Sequence, residues 1–459
     1  MTVTQNLRGA RVTVIGLGIE GIDLVRFAAA EGARVTVSDR RDENELREAI
    51  EAIAGTDAQL SLGANRPEDA RNADVVLVSQ GVPSDNPAVA AATEAGVPVS
   101  TMLGLFMERC PAPVTGITGS AGKTTTTALV ASMLQDEGLP HVMGGNIGIG
   151  LLSLLPQIEP DTRVVVEMSH TQLDRVQVSP HVACVTNVTP NHLDRFSWDD
   201  YVGLKRRIVQ FQRAEDTAVL NLDNQVAHGF VNATPARIVG TSMHGTLDGD
   251  GLSGDGVKLE GDTVVTVSGG ASTAVIDRHD LALRGDHNVE NFLSAVAVAT
   301  QLGVSLDSAR TTAREFTGVP HRLEPVATIE GVTYINDSIA TAPERTLAGL
   351  RSFAEPVVLL LGGRDKQLPV EEMARECAAR CRAVVTFGES GPMYARAVRD
   401  AGLGSVEEVE TVDEAVRAAH RLARNGDVVL FSPAATSFDQ YRNFEIRGAA
   451  FRAAVEALR

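Results

Sequence analysis

The stretch that most constrains this chain is Val114–Thr125. An apolar, β-branched run (Val114–Thr118) turns through Gly119-Ser120-Ala121-Gly122 into Lys123-Thr124-Thr125, which opens a stretch of helical character. A strand that turns through glycines into a helix leaves backbone N–H groups and the positive end of the helix dipole facing one point, which is a cradle for phosphate. Gly122-Lys123-Thr124 fits the end of the nucleotide phosphate-loop pattern, but the position five before Gly122 is Ile117 instead of glycine, so the loop is a variant. Its chemistry survives: Lys123 supplies a point charge and the Thr124 hydroxyl can ligate Mg²⁺ beside the phosphates of ATP. Such a loop belongs at the carboxyl edge of a parallel sheet, so an α/β fold is implied.

The rest of the chain agrees. Short β-branched runs alternate with helical stretches throughout, the signature of parallel sheets. Strands are expected at Arg11–Ile15, Arg34–Ser38, Asp74–Ser79, Arg163–Glu167, His181–Asn187, Thr217–Asn221, Thr333–Asn336, Val357–Gly362, Ala383–Phe387 and Asp427–Ser432. Residues 240–283 are rich in Gly, Ser and Thr with period-two patches, more like antiparallel hairpins. At 459 residues the chain exceeds one ordinary core. Three domains are expected: a Rossmann-like one over 1–102, a phosphate-loop ATPase-type one over 103–320 and a doubly wound one over 321–459.

Composition excludes more than it assigns. A net charge of −18 would repel a nucleic-acid backbone, and 4% aromatics leave few stacking platforms. Cys110, Cys184, Cys377 and Cys381 have no zinc spacing and read as structural thiols. The polar opening Met1–Arg11 does not read as a signal peptide, and there is no apolar run of membrane-spanning length. A cytoplasmic protein is expected.

A second glycine turn, Gly16-Leu17-Gly18-Ile19-Glu20-Gly21, follows the first strand, and Asp39 ends the next one. That spacing is the dinucleotide fingerprint, but the backbone arrangement specifies a pyrophosphate and leaves the nucleoside open. Arg40 and Arg41 suit further anionic groups. A nicotinamide dehydrogenase therefore stays an alternative, as does a regulatory protein that only switches on ATP. Glu167, at the end of its apolar run, is the candidate carboxylate for Mg²⁺, although a capping glutamate is an equal reading.

Taken together the motifs resemble the Mur ligases. After the phosphate loop come Gly144-Gly145-Asn146-Ile147-Gly148, Asn187 to Arg195, Tyr201 with Lys205, His287-Asn288 with Asn291, His321-Arg322 and Asn336-Asp337-Ser338. The tail Ser432–Gln440 and Asn443–Gly448 resembles the member that adds glutamate to UDP-N-acetylmuramoyl-L-alanine. The resemblance implies that Thr124 and Glu167 hold one Mg²⁺ and that His192 holds a second. It also implies that Lys205 is carbamylated and helps bind metal, where a bland reading gives a solvated helix lysine. Asn288 and Asn291 would face adenine, and Arg322 and Asp337 the ATP phosphates and ribose. A swing of the third domain would close the ATP site. Gly16, Gly18, Ile19, Glu20, Arg40 and Arg41 would hold the uridine diphosphate, with Asn146, Ser169 and Gln172 on the muramoyl-alanine portion. Thr341, Lys366, Ser437 and Phe444 would hold glutamate, in a monomer.

Three departures from the family pattern stand out: Ala121 where an asparagine is usual, His170-Thr171 where Ser-Phe is usual, and Ile339-Ala340-Thr341-Ala342 in place of Lys-Ala-Thr-Asn. The last borders the amino-acid pocket and keeps L-glutamate open as the alternative to D-glutamate, which the resemblance favours. Folylpolyglutamate synthase is a more distant relative, disfavoured by the Gly16–Gly21 turn.

Overall fold

The computed structural model describes residues 6–83, 85–146, 150–191, 196–245, 247–249, 251–283, 285–365 and 368–459. The chain divides into two compact units, residues 1–316 and 317–459.

In the first unit, strands β1 (Arg11–Ile15), β2 (Arg34–Ser38), β3 (Gln59–Ser61), β4 (Val75–Val78) and β5 (Val99–Thr101) form a parallel sheet in the order β3-β2-β1-β4-β5. The order reverses at β1, so the switch point lies between β1 and β4, beside the Gly16–Gly21 turn. A second sheet holds β6 (Val114–Thr118), β7 (His141–Gly145), β8 (Arg163–Glu167), β9 (Val182–Val185), β10 (Thr217–Asn221), β11 (Arg237–Ser242), β12 (Gly256–Glu260), β13 (Thr263–Ser268) and β14 (Ala271–Asp277). Its order is β14-β13-β12-β11-β10-β9-β6-β8-β7. It is parallel up to β12, and β12, β13 and β14 form the antiparallel hairpins anticipated from the sequence. β6 lies centrally with β8 and β9 on either side, so the phosphate loop, Glu167 and the segment after β9 all leave from one edge.

The two sheets share an apolar core, which makes them one compact unit. The helix Met102–Arg109 follows β5 directly and buries Leu103, Leu105 and Phe106 completely or nearly so. Each such side chain contributes about 1.5–3 kcal/mol, enough to fix one sheet against the other. Thr101 caps this helix by accepting the Gly104 N–H.

The second unit holds β15 (Glu324–Ile329), β16 (Val332–Asn336), β17 (Val357–Gly362), β18 (Cys381–Phe387), β19 (Val406–Glu408) and β20 (Val428–Ala434). The order is β15-β16-β20-β17-β18-β19, with only β15 antiparallel to its neighbour among the described residues. β17 (VVLLLG) is buried along its whole length, as a central parallel strand between two helix layers must be. No described helix is long and apolar enough to cross a membrane.

Candidate active site

The phosphate loop turns on glycines set close against neighbouring side chains. Gly122 adopts φ +82°, and a Cβ there would lie 2.1 Å from Asn291 Oδ1. A Cβ at Gly119 would lie 2.0 Å from Thr186 Oγ1. The loop is thus packed from beneath by the segment after β9 and from the side by the helix Asp286–Gln301.

Asn187 and Thr186 hold the backbone of Ala121. Asn187 Oδ1 accepts the Ala121 N–H at 2.9 Å, and Thr186 Oγ1 donates to the Ala121 carbonyl at 2.7 Å. Ser120 N donates to the Asn187 carbonyl, Ser120 Oγ accepts from Thr189 N, and Ser120 Oγ shares a 3.0 Å hydrogen bond with Tyr201 Oη. Lys123 folds back over the loop, its Nζ 2.8 Å from the Gly119 carbonyl. Asn291 Nδ2 donates to Asn288 Oδ1. Asn291 therefore sits against the phosphate loop itself.

Lys205 is where the sequence misleads most. On the helix Trp198–Gln210 it is 1% exposed, with Nζ donating to Thr118 Oγ1 at 3.0 Å and to the Gly119 carbonyl at 2.9 Å. Burial pushes its amine well below the ordinary lysine value, the nearby Lys123 charge pushes the same way, and Glu167 opposes both. A buried lysine with two neutral acceptors and a depressed amine is a nucleophile in waiting.

Glu167 closes β8 at 1% exposure. Its Oε1 accepts from Asn146 Nδ2 at 2.9 Å, while Oε2 is buried without a hydrogen-bond partner. An orphaned buried carboxylate oxygen is costly unless a cation completes it. With the buried hydroxyl-bearing Thr124 at the helix start, these hard oxygen donors fit Mg²⁺, which keeps few protein ligands and takes the rest from water and phosphate. Among the described residues no group of three or more His, Cys, Asp or Glu side chains is gathered for a metal. His192 lies outside the described residues.

The first glycine turn faces a cavity of about 650 Å³ lined by Gly16, Gly18, Asp39, Arg40, Arg41 and the segment 79–83 among others. Gly21 is obligatory, because a Cβ there would lie 2.0 Å from the Gly16 carbonyl oxygen. Asp39, which a dinucleotide reading aims at a ribose hydroxyl, is consumed within its own turn. It accepts the Leu17 N–H at 2.7 Å and a forked pair from Arg41. These donors hold its carboxyl below the usual range against the opposing effect of burial. Arg40 is exposed at the rim, and Ile19 is 79% exposed. Beside it a second cavity of about 590 Å³ is lined by Glu20, the same segment 79–83, His170, Gln172 and Arg175 among others. Ser169 and Gln172 form a capping box on the short helix His170–Leu173.

In the second unit, Asp337 and Ser437 leave the carboxyl ends of the neighbouring strands β16 and β20. Asp337 accepts from Ser432 Oγ at 2.7 Å and from Leu323 N at 3.2 Å, and burial pushes its carboxyl up to about 6. Arg322 is held between His321 at φ +63° and Leu323 at φ +43°, conformations that L-residues adopt only where the surroundings force them. The segment after Asp337 runs beside the tail: Ala434 N donates to the Ala340 carbonyl and Ser338 Oγ to that of Phe444. Thr341, Ser437 and Phe444 therefore come off one edge, while Lys366 lies outside the described residues. Arg447, given no role from sequence, is fully buried and donates to the carbonyls of Ser338, Gly362 and Ala435. It ties the tail to the ends of β16 and β17.

Comparison with known proteins places this geometry. Family models match over most of the chain: the Mur ligase MurD-like N-terminal domain at residues 10–101, the Mur ligase middle domain at 117–299 and the Mur ligase glutamate ligase domain at 321–435. The chain belongs to the Mur ligase family. It is accordingly an ATP-dependent amide ligase of mixed α/β sheets. It is 38% identical over 462 residues to a UDP-N-acetylmuramoylalanine–D-glutamate ligase of Acetivibrio thermocellus, covering 99% of this chain and 98% of the relative. Identity is also 38% to proteins of the same name from Symbiobacterium thermophilum (98% of each chain) and Roseiflexus (99% and 100%). Among solved structures, the UDP-N-acetylmuramate-alanine ligase MurC of Thermotoga maritima superposes with a TM-score of 0.54 at 19% identity, covering 98% of this chain and all of that one. A pseudomurein peptide ligase type C from Methanothermus fervidus gives 0.51 at 19%, with the same coverage. These two likenesses establish the fold.

Proposed function

We propose that this ligase joins D-glutamate to UDP-N-acetylmuramoyl-L-alanine at the expense of ATP, in the assembly of peptidoglycan precursors. The full-length identity to relatives bearing that activity in their names carries the proposal, and the buried side chains of Lys205 and Glu167 near the phosphate loop suit its chemistry. The uridine diphosphate lies against Gly16, Gly18, Ile19 and Arg40, with Arg41 braced by Asp39. Asn146, Ser169 and Gln172 direct the muramoyl-alanine arm toward the end of β8. Lys123 and the loop N–H groups hold the phosphates of ATP, with Asn288 and Asn291 against the nucleotide and Arg322 and Asp337 contributing from the second unit.

The terminal carboxylate of alanine attacks the γ-phosphorus, giving an acyl phosphate and ADP. The glutamate amine then attacks the acyl carbon and phosphate leaves. Both reactants of the first step are anions, so their approach depends on fixed positive charge, which Lys123 provides. Thr124, Glu167 and His192 would hold Mg²⁺, which neutralises phosphate charge when bound. Lys205 is the residue to be carbamylated. Its neutral amine adds to CO₂ with loss of one proton, exchanging a buried neutral group for an anion that suits metal. Thr341, Lys366, Ser437 and Phe444 hold the incoming glutamate. We place the functional domains at 1–102, 103–320 and 321–459, in a cytoplasmic monomer.

Phosphate release is the test. It should require both UDP-N-acetylmuramoyl-L-alanine and glutamate, with D-glutamate preferred to L-glutamate. Release indifferent to both would overturn the ligase reading, and a preference for L-glutamate would overturn only the stereochemical one.

A further inference from the structure

Two cavities flank the segment Ser79–Pro83: one over the glycine turn of the first sheet, one reaching the short helix that follows β8 in the second. Glu20 stands where they meet. It occupies the first turn of the helix Ile19–Ala30, beside the place where a diphosphate would bind, and a carboxylate pointing there would repel the ligand. Both its oxygens are instead spent on the protein. Oε2 accepts the Gln80 N–H at 2.8 Å, and Oε1 accepts Gln172 Nε2 at 3.0 Å.

The connection continues beyond Glu20. Gln80 Nε2 donates to Ser169 Oγ at 3.1 Å and also to Thr171 Oγ1. Gln172 Oε1 in turn accepts the Ser169 N–H at 3.0 Å, closing the capping box. An unbroken polar chain therefore runs from the first helix, through the 79–83 segment, to a residue two positions beyond Glu167. Apolar packing by the helix Met102–Arg109 joins the two sheets elsewhere, and at the cleft this chain ties them beside a further bond from Arg175 Nη2 to the Pro83 carbonyl. Burial raises the Glu20 carboxyl above its ordinary value, which its hydrogen bonds only partly oppose. The carboxylate is therefore retained here against a desolvation cost.

We propose that Glu20 is a positioning residue that sets the distance between the diphosphate site and the phosphoryl-transfer site, and so reads the length of the nucleotide-sugar substrate. The inference rests on the substrate assigned above. UDP alone needs only the first sheet. UDP-N-acetylmuramoyl-L-alanine must span from Gly16–Gly18 to the end of β8, so it alone depends on the tie.

The experiment compares wild type, Glu20→Ala and the isosteric Glu20→Gln, with binding of UDP and of UDP-N-acetylmuramoyl-L-alanine measured by calorimetry. Losing two charge-assisted hydrogen bonds predicts a roughly 10- to 100-fold weaker Kd for the full substrate in Glu20→Ala. UDP affinity and the KM for ATP should stay within about 2-fold, and Glu20→Gln should recover part of the loss because its amide oxygen still accepts one bond. An equal loss for UDP and the full substrate would overturn the proposal, as would no loss for either. Hydrogen exchange at the Gln80 amide gives a readout independent of substrate: it should quicken about 10-fold in Glu20→Ala, and an unchanged rate would also overturn the tie. If wild type bound the full substrate no better than UDP, the assigned substrate would fall while the exchange result still judged the tie.

Discussion

Replacing Lys205 tests the reading of the buried amine most severely. Lys205→Ala removes an Nζ that bridges Thr118 Oγ1 and the Gly119 carbonyl and leaves a cavity under the phosphate loop. By analogy with other buried truncations the fold loses about 2–5 kcal/mol, so Lys205→Met, which keeps most of the volume, serves as the packing control. The functional loss should be larger than either structural effect explains. Deleting one preorganised charged group at a site of charge transfer lowers turnover about 10²–10³-fold. Phosphate release by Lys205→Ala should therefore fall by that factor, and added formate or acetate should restore part of it by placing a carboxylate where the carbamate stood. Lys205→Met fills the space and should not be rescued. The depressed amine adds a pH dependence. Carbamylation needs the neutral form, so activation by bicarbonate should persist to lower pH than an exposed lysine would allow. Activity of Lys205→Ala within about 3-fold of wild type would refute the reasoning, as would equal rescue of the Ala and Met variants.

Glu167→Gln should raise the melting temperature of the nucleotide-free protein by roughly 2–4 °C, since a neutral amide is cheaper to bury than an orphaned carboxylate oxygen; it should also lose nearly all phosphate release. A lower melting temperature would mean that Oε2 has a stabilising partner. Gly122→Ala forces an L-residue to φ +82° and drives a Cβ into Asn291, so the KM for ATP should rise at least about 10-fold at a cost of about 1–2 kcal/mol in stability. An unchanged KM would separate the loop geometry from nucleotide binding. For Asp337 the folded value of about 6 lies above the ordinary 3.8, so its stabilising contribution is full below 3.8 and is lost as pH rises through 6. It amounts to about 3 kcal/mol at most. Protection factors of the β16 and β20 amides, corrected for intrinsic exchange at each pH, should fall over that window in wild type and stay flat in Asp337→Asn.

The sequence announced the central strands because both their faces are buried: β1, β2, β6, β8, β10 and β17 are apolar, β-branched runs with the bounds expected of them. The short strands β3, β5 and β19 lie at or beside sheet edges, and β7 ends in paired glycines. Such strands carry little of the apolar signal, so β3, β7 and β19 were not legible. The glycine turns were legible because a Cβ at Gly21 would meet backbone and Gly122 takes φ +82°, both of which select glycine. Partnerships formed by tertiary packing were not. Lys205 reads as a solvated helix lysine until its helix is laid over the phosphate loop. Asn187, in a motif that could be recognised, gave no hint that its amide would hold the backbone of Ala121. Glu20, expected beside the diphosphate, gave no hint that its oxygens would face Gln80 and Gln172, residues distant in sequence. Arg447 lay in the recognised tail, but only its burial against three carbonyls reveals that it holds that tail in place. The apolar core shared by the first two sheets was not legible either, because it depends on how Met102–Arg109 packs.

The central claim is that the site beside Lys123, Glu167 and Lys205 activates a carboxylate by phosphorylating it. Labelling both oxygens of the alanyl carboxylate of UDP-N-acetylmuramoyl-L-alanine with oxygen-18 tests this directly. Attack of that carboxylate on the γ-phosphorus carries one of its oxygens into the phosphate that later leaves. The account predicts one labelled oxygen in each phosphate released and one retained in the new amide. Phosphate free of label would show that ATP is hydrolysed by water, and the activating role assigned to this site would be wrong.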